Sequence, residues 1–390
     1  MLSFNNTEIA FSNKTNTDLN QSYWLFKIMS NNTVVSIGSK LMGISLKIHL
    51  PIKGLIKATI FKQFCGGETI EECDKKIALL GKSGIGTILD YSVEGKENEC
   101  DFDACATETI NTVKKSKSTS NIPFCVFKVT GVARFGLLEK IASNNNLTEE
   151  EKSEYARIVK RIDSICQSAF EANTPVFIDA EETWIQNAID TIANEMMERY
   201  NKERAIVYNT FQMYRKDKLN YLKTSLEKAK TKNYFLGAKL VRGAYMEKER
   251  DRAIEKNYPS PIHENKAATD TDYNSALLFC TDHIKTIAFC AATHNENSSA
   301  YLTQLIEERN IEKNNKHIYF AQLLGMSDHI SYNLSNAGYN VAKYVPYGPV
   351  KEVMPYLTRR AQENTFVKGQ TGRELGLIIK EKERRKKWRA

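Results

Sequence analysis

No run of 18 uncharged apolar residues occurs in this 390-residue chain, so no membrane-spanning helix is expected. Cysteine occurs eight times but never as a CxxC pair, and no Cys/His spacing suits zinc. Neither a metal centre nor a disulfide framework is expected, and a core of this size is stable without one. The opening residues, MLSFNNTEIAFSNKTN, hold no basic cluster followed by an apolar run and no Arg-rich amphipathic pattern. A secretory leader or mitochondrial presequence is therefore not expected, and the compartment read from the sequence is the cytoplasm. Two nucleotide fingerprints are also missing. Gly81-Lys82-Ser83 resembles the end of a P-loop, but the first glycine position is Lys76; Gly84-Ile85-Gly86 starts a GxGxxG that ends in Leu89.

Excess charge is confined to one end. The net charge is +8, and residues 380–390, KEKERRKKWRA, hold seven Lys/Arg against two Glu, which is +5 of it. The rest is nearly balanced, which argues against a nucleic-acid partner. The basic end reads as a solvated helix terminus. Its sharper reading is a peripheral contact with an acidic surface such as the inner membrane.

What the chain does have is ordinary globular composition, 42% hydrophobic and 26% charged, and a repeating rhythm. Eight β-branched or apolar runs, each followed by a helical pattern, occur near 84–93, 124–131, 174–182, 205–214, 235–245, 286–295, 317–326 and 339–348. Near-continuous apolar runs of this kind are parallel strands buried on both faces. Eight of them predict an α/β chain folded as a (β/α)8 TIM barrel; a doubly wound open sheet is the alternative. Residues 1–83 read as an N-terminal helical segment layered on the barrel. Residues 84–370 are the barrel, and 371–390 a basic C-terminal tail.

Functional residues of such barrels lie at the C-terminal ends of strands. Those ends supply Lys128 and Thr130; Asp179, Glu181 and Glu182; Gln212; Lys239, Arg242 and Tyr245; Thr293, His294 and Asn295; Gln322 and Leu323; and Tyr344. Lys128 and Lys239 stand inside otherwise apolar strands, where an unpaired ammonium is costly. A structural pairing of Lys128 with Asp179 is the plain alternative to a catalytic one. After the eighth strand, Tyr356, Arg359 and Arg360 follow at i, i+3 and i+4, so Tyr356 shares a helical face with either arginine. Two guanidinium groups there suit a carboxylate, because each offers a planar fork of donors; an exposed basic helix face is the bland reading.

Taken together, Asp179-Ala180-Glu181-Glu182, Lys239 to Tyr245 (KLVRGAY), Ala292-Thr293-His294-Asn295, Gln322 to Met326 (QLLGM) and Tyr356-Leu357-Thr358-Arg359-Arg360 resemble the proline dehydrogenase family, in order, from about Gly84 to Asn364. The resemblance implies a distorted (β/α)8 barrel with non-covalent FAD that oxidises L-proline to Δ1-pyrroline-5-carboxylate and passes electrons to a quinone-type acceptor. It implies that Arg359, Arg360 and Lys128 hold the proline carboxylate. Tyr245, Leu323, Tyr344 and Tyr356 would wall the ring, and Asp179 would pair with Lys128 or an arginine. Lys239, where many bacterial members carry Arg, would lie near the flavin. Gln212, Arg242, Gly243, Ala244, Thr293, His294, Asn295, Gln322 and Glu363 would contact FAD. The hydroxyproline-preferring branch is smaller at the position of Tyr344, so proline is favoured here over hydroxyproline. No metal is implied. No Rossmann fingerprint for a second enzyme follows the barrel, so the chain reads as monofunctional, with a separate pyrroline-5-carboxylate dehydrogenase downstream.

Overall fold

A computed structural model describes residues 2–31, 53–93, 96–366 and 370–387, without the side chains of 362–366, 370 and 371. Eight parallel strands follow one another in chain order around a closed barrel: β1 (Ile85–Tyr91), β2 (Phe124–Lys128), β3 (Val176–Asp179), β4 (Val207–Gln212), β5 (Leu236–Val241), β6 (Ile287–Ala292), β7 (Ile318–Leu323) and β8 (Val341–Tyr347). Each falls within one of the eight expected segments, and helices alternate with them. Among the described residues no helix is long and apolar enough to cross a membrane, and the cysteines are free thiols, all buried except Cys100.

The residues form two compact units, 1–94 with 322–390, and 95–321. In the second unit, β2 to β7 pair in register, from Cys125↔Val176 to Ala292↔Ala321. Alternate residues meet in an aromatic core. Phe124 and Phe177 stack at 4.4 Å, and Tyr208 stands edge-on to both at 5.6 and 5.3 Å, an arrangement that suits the ring quadrupoles. Gly237 makes this possible, since a Cβ there would lie 2.9 Å from the Tyr208 ring and 2.3 Å from the Val207 carbonyl. The helix Glu149–Ala172 shows how the outer layer is specified. Thr148 and Glu151 form a capping box at its start. Ile158, Ile162, Ile165 and Ala169 line its buried face, and Asn173 at φ 54° ends it.

In the first unit β1 pairs with β8 from Ile85↔Val341 to Tyr91↔Tyr347. The expected N-terminal helices are present. Thr15 and Asp18 box the start of the helix Asn16–Met29. One expectation is corrected here. The basic end is the helix terminus expected, but the helix that carries it, Gln370–Lys387, docks on the N-terminal helices rather than standing free in solvent. Its Leu377 and Ile378 are buried with Ala10, Phe11, Leu19 and Phe26. Its cations are partly consumed: Glu381 is buried and pairs with Arg384 and Arg385, and Arg385 also donates to the carbonyls of Phe11 and Lys14, each at 2.8 Å. Trp388 lies outside the described residues. Burying Leu377 and Ile378 contributes roughly 1.5–3 kcal/mol each. Ending the chain after Gly376 is therefore expected to lower the calorimetric Tm by about 5 °C or more, and an unchanged Tm would show that the helix does not hold the unit together.

Candidate active site

The strand ends of the second unit carry a set of buried charges. Lys239, 4% exposed on β5, pairs with the Asp179 carboxylate at the end of β3. Register explains the reach. Lys239 lies opposite Thr210 of β4, whose short side chain turns to the Ile178 carbonyl at 2.8 Å. The long lysine passes over it. This corrects the expected pairing of Asp179 with Lys128 or an arginine.

Lys128 sits directly opposite Asp179 in the β2–β3 register and is half-buried, and its charge favours the ionised form of Glu181. Glu181 is buried and accepts from the Thr130 backbone N–H at 3.0 Å and from the Thr130 hydroxyl. Its own N–H donates to Gln186 Oε1 at 2.8 Å. Burial pushes the Glu181 carboxyl up to about 7, against the pull of Lys128 and the two Thr130 hydrogen bonds, and neighbouring Glu182 adds to the rise. Glu182 is in turn paired with Lys248.

Gln212, at the end of β4, donates through Nε2 to the Glu181 carbonyl at 2.9 Å. Its Oε1 is buried without a hydrogen-bond donor among the described residues. Leaving a buried acceptor unmet costs free energy. After β5, Arg242 spreads its guanidinium over three partners: Asp270 Oδ1 at 2.7 Å, Thr293 Oγ1 at 2.6 Å and Ser298 Oγ at 2.8 Å. It also lies 4.3 Å from the Tyr273 ring centroid. Arg242 and Thr293, expected together, are thus brought together. Gly243 has φ 126°, and a Cβ there would come within 2.5 Å of the Tyr214 ring, so only glycine fits. Ala244 is exposed, and Tyr245 is half-buried at the start of the helix Met246–Glu255.

After β6, Asn295 Oδ1 accepts from Ser298 N at 3.0 Å and caps the helix Glu296–Glu308. Its side-chain oxygen therefore serves the fold, as the sequence Asn-Glu-Asn-Ser allows. His294 is half-buried beside it.

In the first unit, the Gln322 side chain accepts from Ser331 Oγ at 2.8 Å. Leu323 packs on the cluster that includes Tyr356, Leu357 and Val353. Tyr344 and Tyr356 are both 5% exposed. On the helix Met354–Phe366, the Arg360 guanidinium lies 5.3 Å from the Tyr356 ring centroid, the i,i+4 contact read from the sequence. Arg360 is buried and Arg359 half-buried. Glu363 is on the same helix, with its side chain outside those described.

Among the buried charges that sequence reasoning passed over, Lys343 bears on the candidate site. Lys343, fully buried on β8, donates to the Met326 carbonyl at 2.8 Å and the Leu323 carbonyl at 3.3 Å, and pairs with Asp328 at 2.8 Å. It ties together Leu323 at the end of β7 and Met326 and Asp328 in the segment that follows. The signal was available, since a lysine inside the apolar run YNVAKYVPYG is as anomalous as Lys128 or Lys239. Among the described residues no group of three His, Cys, Asp or Glu could hold a metal ion.

Residues 73–373 match the family described as proline dehydrogenase. Proline dehydrogenase 1, mitochondrial, of Dictyostelium discoideum is 33% identical over 97% of this chain and 74% of its own length. The protein of the same name from Drosophila melanogaster is 41% identical over 64% of this chain and 38% of its own. Among solved structures, proline utilization A (PutA) from Bdellovibrio bacteriovorus, inactivated by N-propargylglycine, superposes with a TM-score of 0.73 at 20% identity. The match covers 92% of this chain and 38% of that one, and shows a shared fold. The chain thus spans little more than a third of the Drosophila and PutA proteins.

Proposed function

This chain belongs to the proline dehydrogenase family of oxidoreductases acting on proline, and we propose that it oxidises L-proline to Δ1-pyrroline-5-carboxylate, the first step of proline catabolism, with non-covalent FAD as the electron acceptor. The observation that carries the reading is the family match across residues 73–373. The residues at the ends of β4, β5 and β6 fit the cofactor. Gln212 keeps a buried acceptor without a donor among the described residues. Arg242 and the N-terminus of the helix Glu296–Glu308 together suit phosphate. Gln212, Lys239, Arg242, Gly243, Ala244, Thr293, His294 and Gln322 would hold FAD, with Glu363 as a further contact. Asn295 would act through the cap it makes. FAD, when bound, supplies the acceptor for the two electrons that leave proline C5 as hydride.

The chain's own residues prepare the substrate. Arg359 and Arg360 bind the carboxylate through charge-assisted hydrogen bonds, and Lys128 adds a third cation. Tyr245, Leu323, Tyr344 and Tyr356 press on the ring, and the bulk of Tyr344 leaves little space for a 4-hydroxyl. The amine must shed a proton so that its lone pair can form the C=N bond as hydride departs from C5. No nucleophile is required; positioning is the main contribution.

Electrons then pass to a quinone-type acceptor, with a peripheral membrane contact, and the product goes to a separate dehydrogenase. The cytoplasmic expectation stands beside relatives named mitochondrial, and fractionation of the native protein decides between them. The test of the reading is spectroscopic. The purified protein is expected to be yellow, and anaerobic L-proline is expected to bleach its flavin band. A flavin spectrum that proline leaves unchanged would remove the substrate assignment, and a colourless protein that binds no added FAD would remove the cofactor.

A further inference from the structure

Gln212, buried at the end of β4, has an amide with only one way round. Its Nε2 donates to the Glu181 carbonyl at 2.9 Å, and a carbonyl can only accept. Its Oε1 is therefore the atom turned away, and it is the buried acceptor that meets no donor among the described residues. The backbone that carries this contact is itself tied outward. The Glu181 N–H donates to Gln186 Oε1 at 2.8 Å. Gln186 and Asp190 are four apart on the helix Thr183–Tyr200, so they share a face, and both are buried. Gln186 Nε2 donates to Asp190 Oδ1 at 3.0 Å, and Asn209 Nδ2 of β4 donates to the same oxygen at 2.9 Å. The other oxygen, Oδ2, takes the ammonium of Lys218, which is buried at the start of the helix Lys218–Thr231. A carboxylate offers only acceptors. It therefore turns the Gln186 nitrogen towards Asp190 and the Gln186 oxygen towards Glu181, and one buried acid sets the direction of the row from the outer helices to the strand end.

We infer that Asp190 and Gln186 are positioning residues for the cofactor: they hold the Glu181 backbone on which Gln212 rests, and so present Gln212 Oε1 as an acceptor to an N–H of the bound flavin ring. This rests on the reading of Gln212 as an FAD contact. The chemistry follows from the atom. A buried acceptor without a donor carries a desolvation cost that a ligand N–H removes on binding. A Gln212 amide turned the other way would set its own N–H groups against that donor and lose the contact. Neither Asp190 nor Gln186 belongs to the expected substrate or cofactor set, and both act through hydrogen bonds that end at Gln212.

The test is release of FAD from the purified holoenzyme, followed after dilution by the return of free-flavin fluorescence, with Tm measured on each variant. Gln212→Met removes the acceptor and should release FAD about 2- to 12-fold faster, the range for one hydrogen bond between neutral groups. Gln186→Met keeps the volume and should fall in the same range, although Glu181 stands between it and Gln212. In Asp190→Asn the remaining oxygen stays with Lys218, so the new amide nitrogen faces Gln186 and Asn209. Both must turn, Gln186 Oε1 leaves the Glu181 N–H, and release should again accelerate. The double variant Gln186→Met/Gln212→Met decides between positioning and plain loosening of the fold. It should release FAD no faster than Gln212→Met alone, because Gln186 acts through an atom already removed. Factors that multiply in the double variant overturn the inference, and so does wild-type release from Gln186→Met. If Gln186→Met fails to fold, Asp190→Asn enters the same cycle with the same two outcomes. Wild-type release from Gln212→Met removes the Gln212 contact and the inference while the FAD reading stands; a wild-type protein that holds no flavin removes both.

Discussion

Arg360→Met is expected to raise the proline KM about 10- to 150-fold while FAD stays bound. The range is the loss of a charge-assisted hydrogen bond to a carboxylate, roughly 1.5–3 kcal/mol, converted at about 1.4 kcal/mol per tenfold. Arg360 is buried and stacked on Tyr356, so it offers a guanidinium with little freedom left to lose on binding. Arg359 follows about 100° around the helix and is half-buried. Its removal should cost nearer the lower end, because water competes for it. Methionine keeps much of the side-chain length and apolar packing, which separates loss of charge from loss of fold. Steady-state proline kinetics, with flavin content and Tm measured on each variant, check this. Unchanged KM in both Arg359→Met and Arg360→Met would assign the carboxylate elsewhere.

The placement of these arginines on the helix of Tyr356 was legible because it is local. Positions i, i+3 and i+4 share a helix face whatever the rest of the chain does. The strands were legible for the same reason, as runs such as FCVFKVTG and TPVFIDAEE carry their burial in a few consecutive residues. Lys128 and Lys239 stood out as charges where an apolar residue was due. Their partners did not, because pairing depends on register. Asp179 lies opposite Lys128, yet meets Lys239 from two strands away because Thr210 between them is small. The end of the chain misled for the opposite reason. Its charge density hides Leu377 and Ile378, which become a buried stripe only once the N-terminal helices are present to cover them. Asn295 carried two readings at once, a cofactor contact by resemblance and a helix cap by local code, and the cap is the one its side-chain oxygen serves.

Substitution at Lys343 should cost the fold measurably. Lys343→Met is expected to destabilise the protein by about 3 kcal/mol at pH 7, the lower end of the range for breaking a buried ion pair. The lower end applies because Lys14 still faces Asp328 at 3.2 Å. In the wild type, burial alone would raise the Asp328 carboxyl, but Lys343 and Lys14 overcome it and hold the group well below the usual carboxylate range. A depressed carboxylate stabilises the fold at every pH above its unfolded value near 3.8, and that stability is lost only as pH falls through the folded value. Between pH 5 and 8 this contribution should be flat in the wild type. Removing Lys343 leaves Asp328 buried beside Glu374, whose burial pushes its own carboxyl up, so the Asp328 value should climb towards the working range. The variant should then lose less stability at pH 5, where Asp328 can protonate, than at pH 8. Adding Asp328→Asn should recover part of the loss and flatten the profile again, because the uncompensated charge is gone. The backbone consequence is separate. Without the Lys343 ammonium the Leu323 and Met326 carbonyls lose a shared donor, so even the double variant should show a higher proline KM through a loosened Leu323. Denaturant unfolding at pH 5 and pH 8 measures the first effect and proline kinetics the second. Equal stability of Lys343→Met and wild type at both pH values would show that the pair contributes nothing net to the fold.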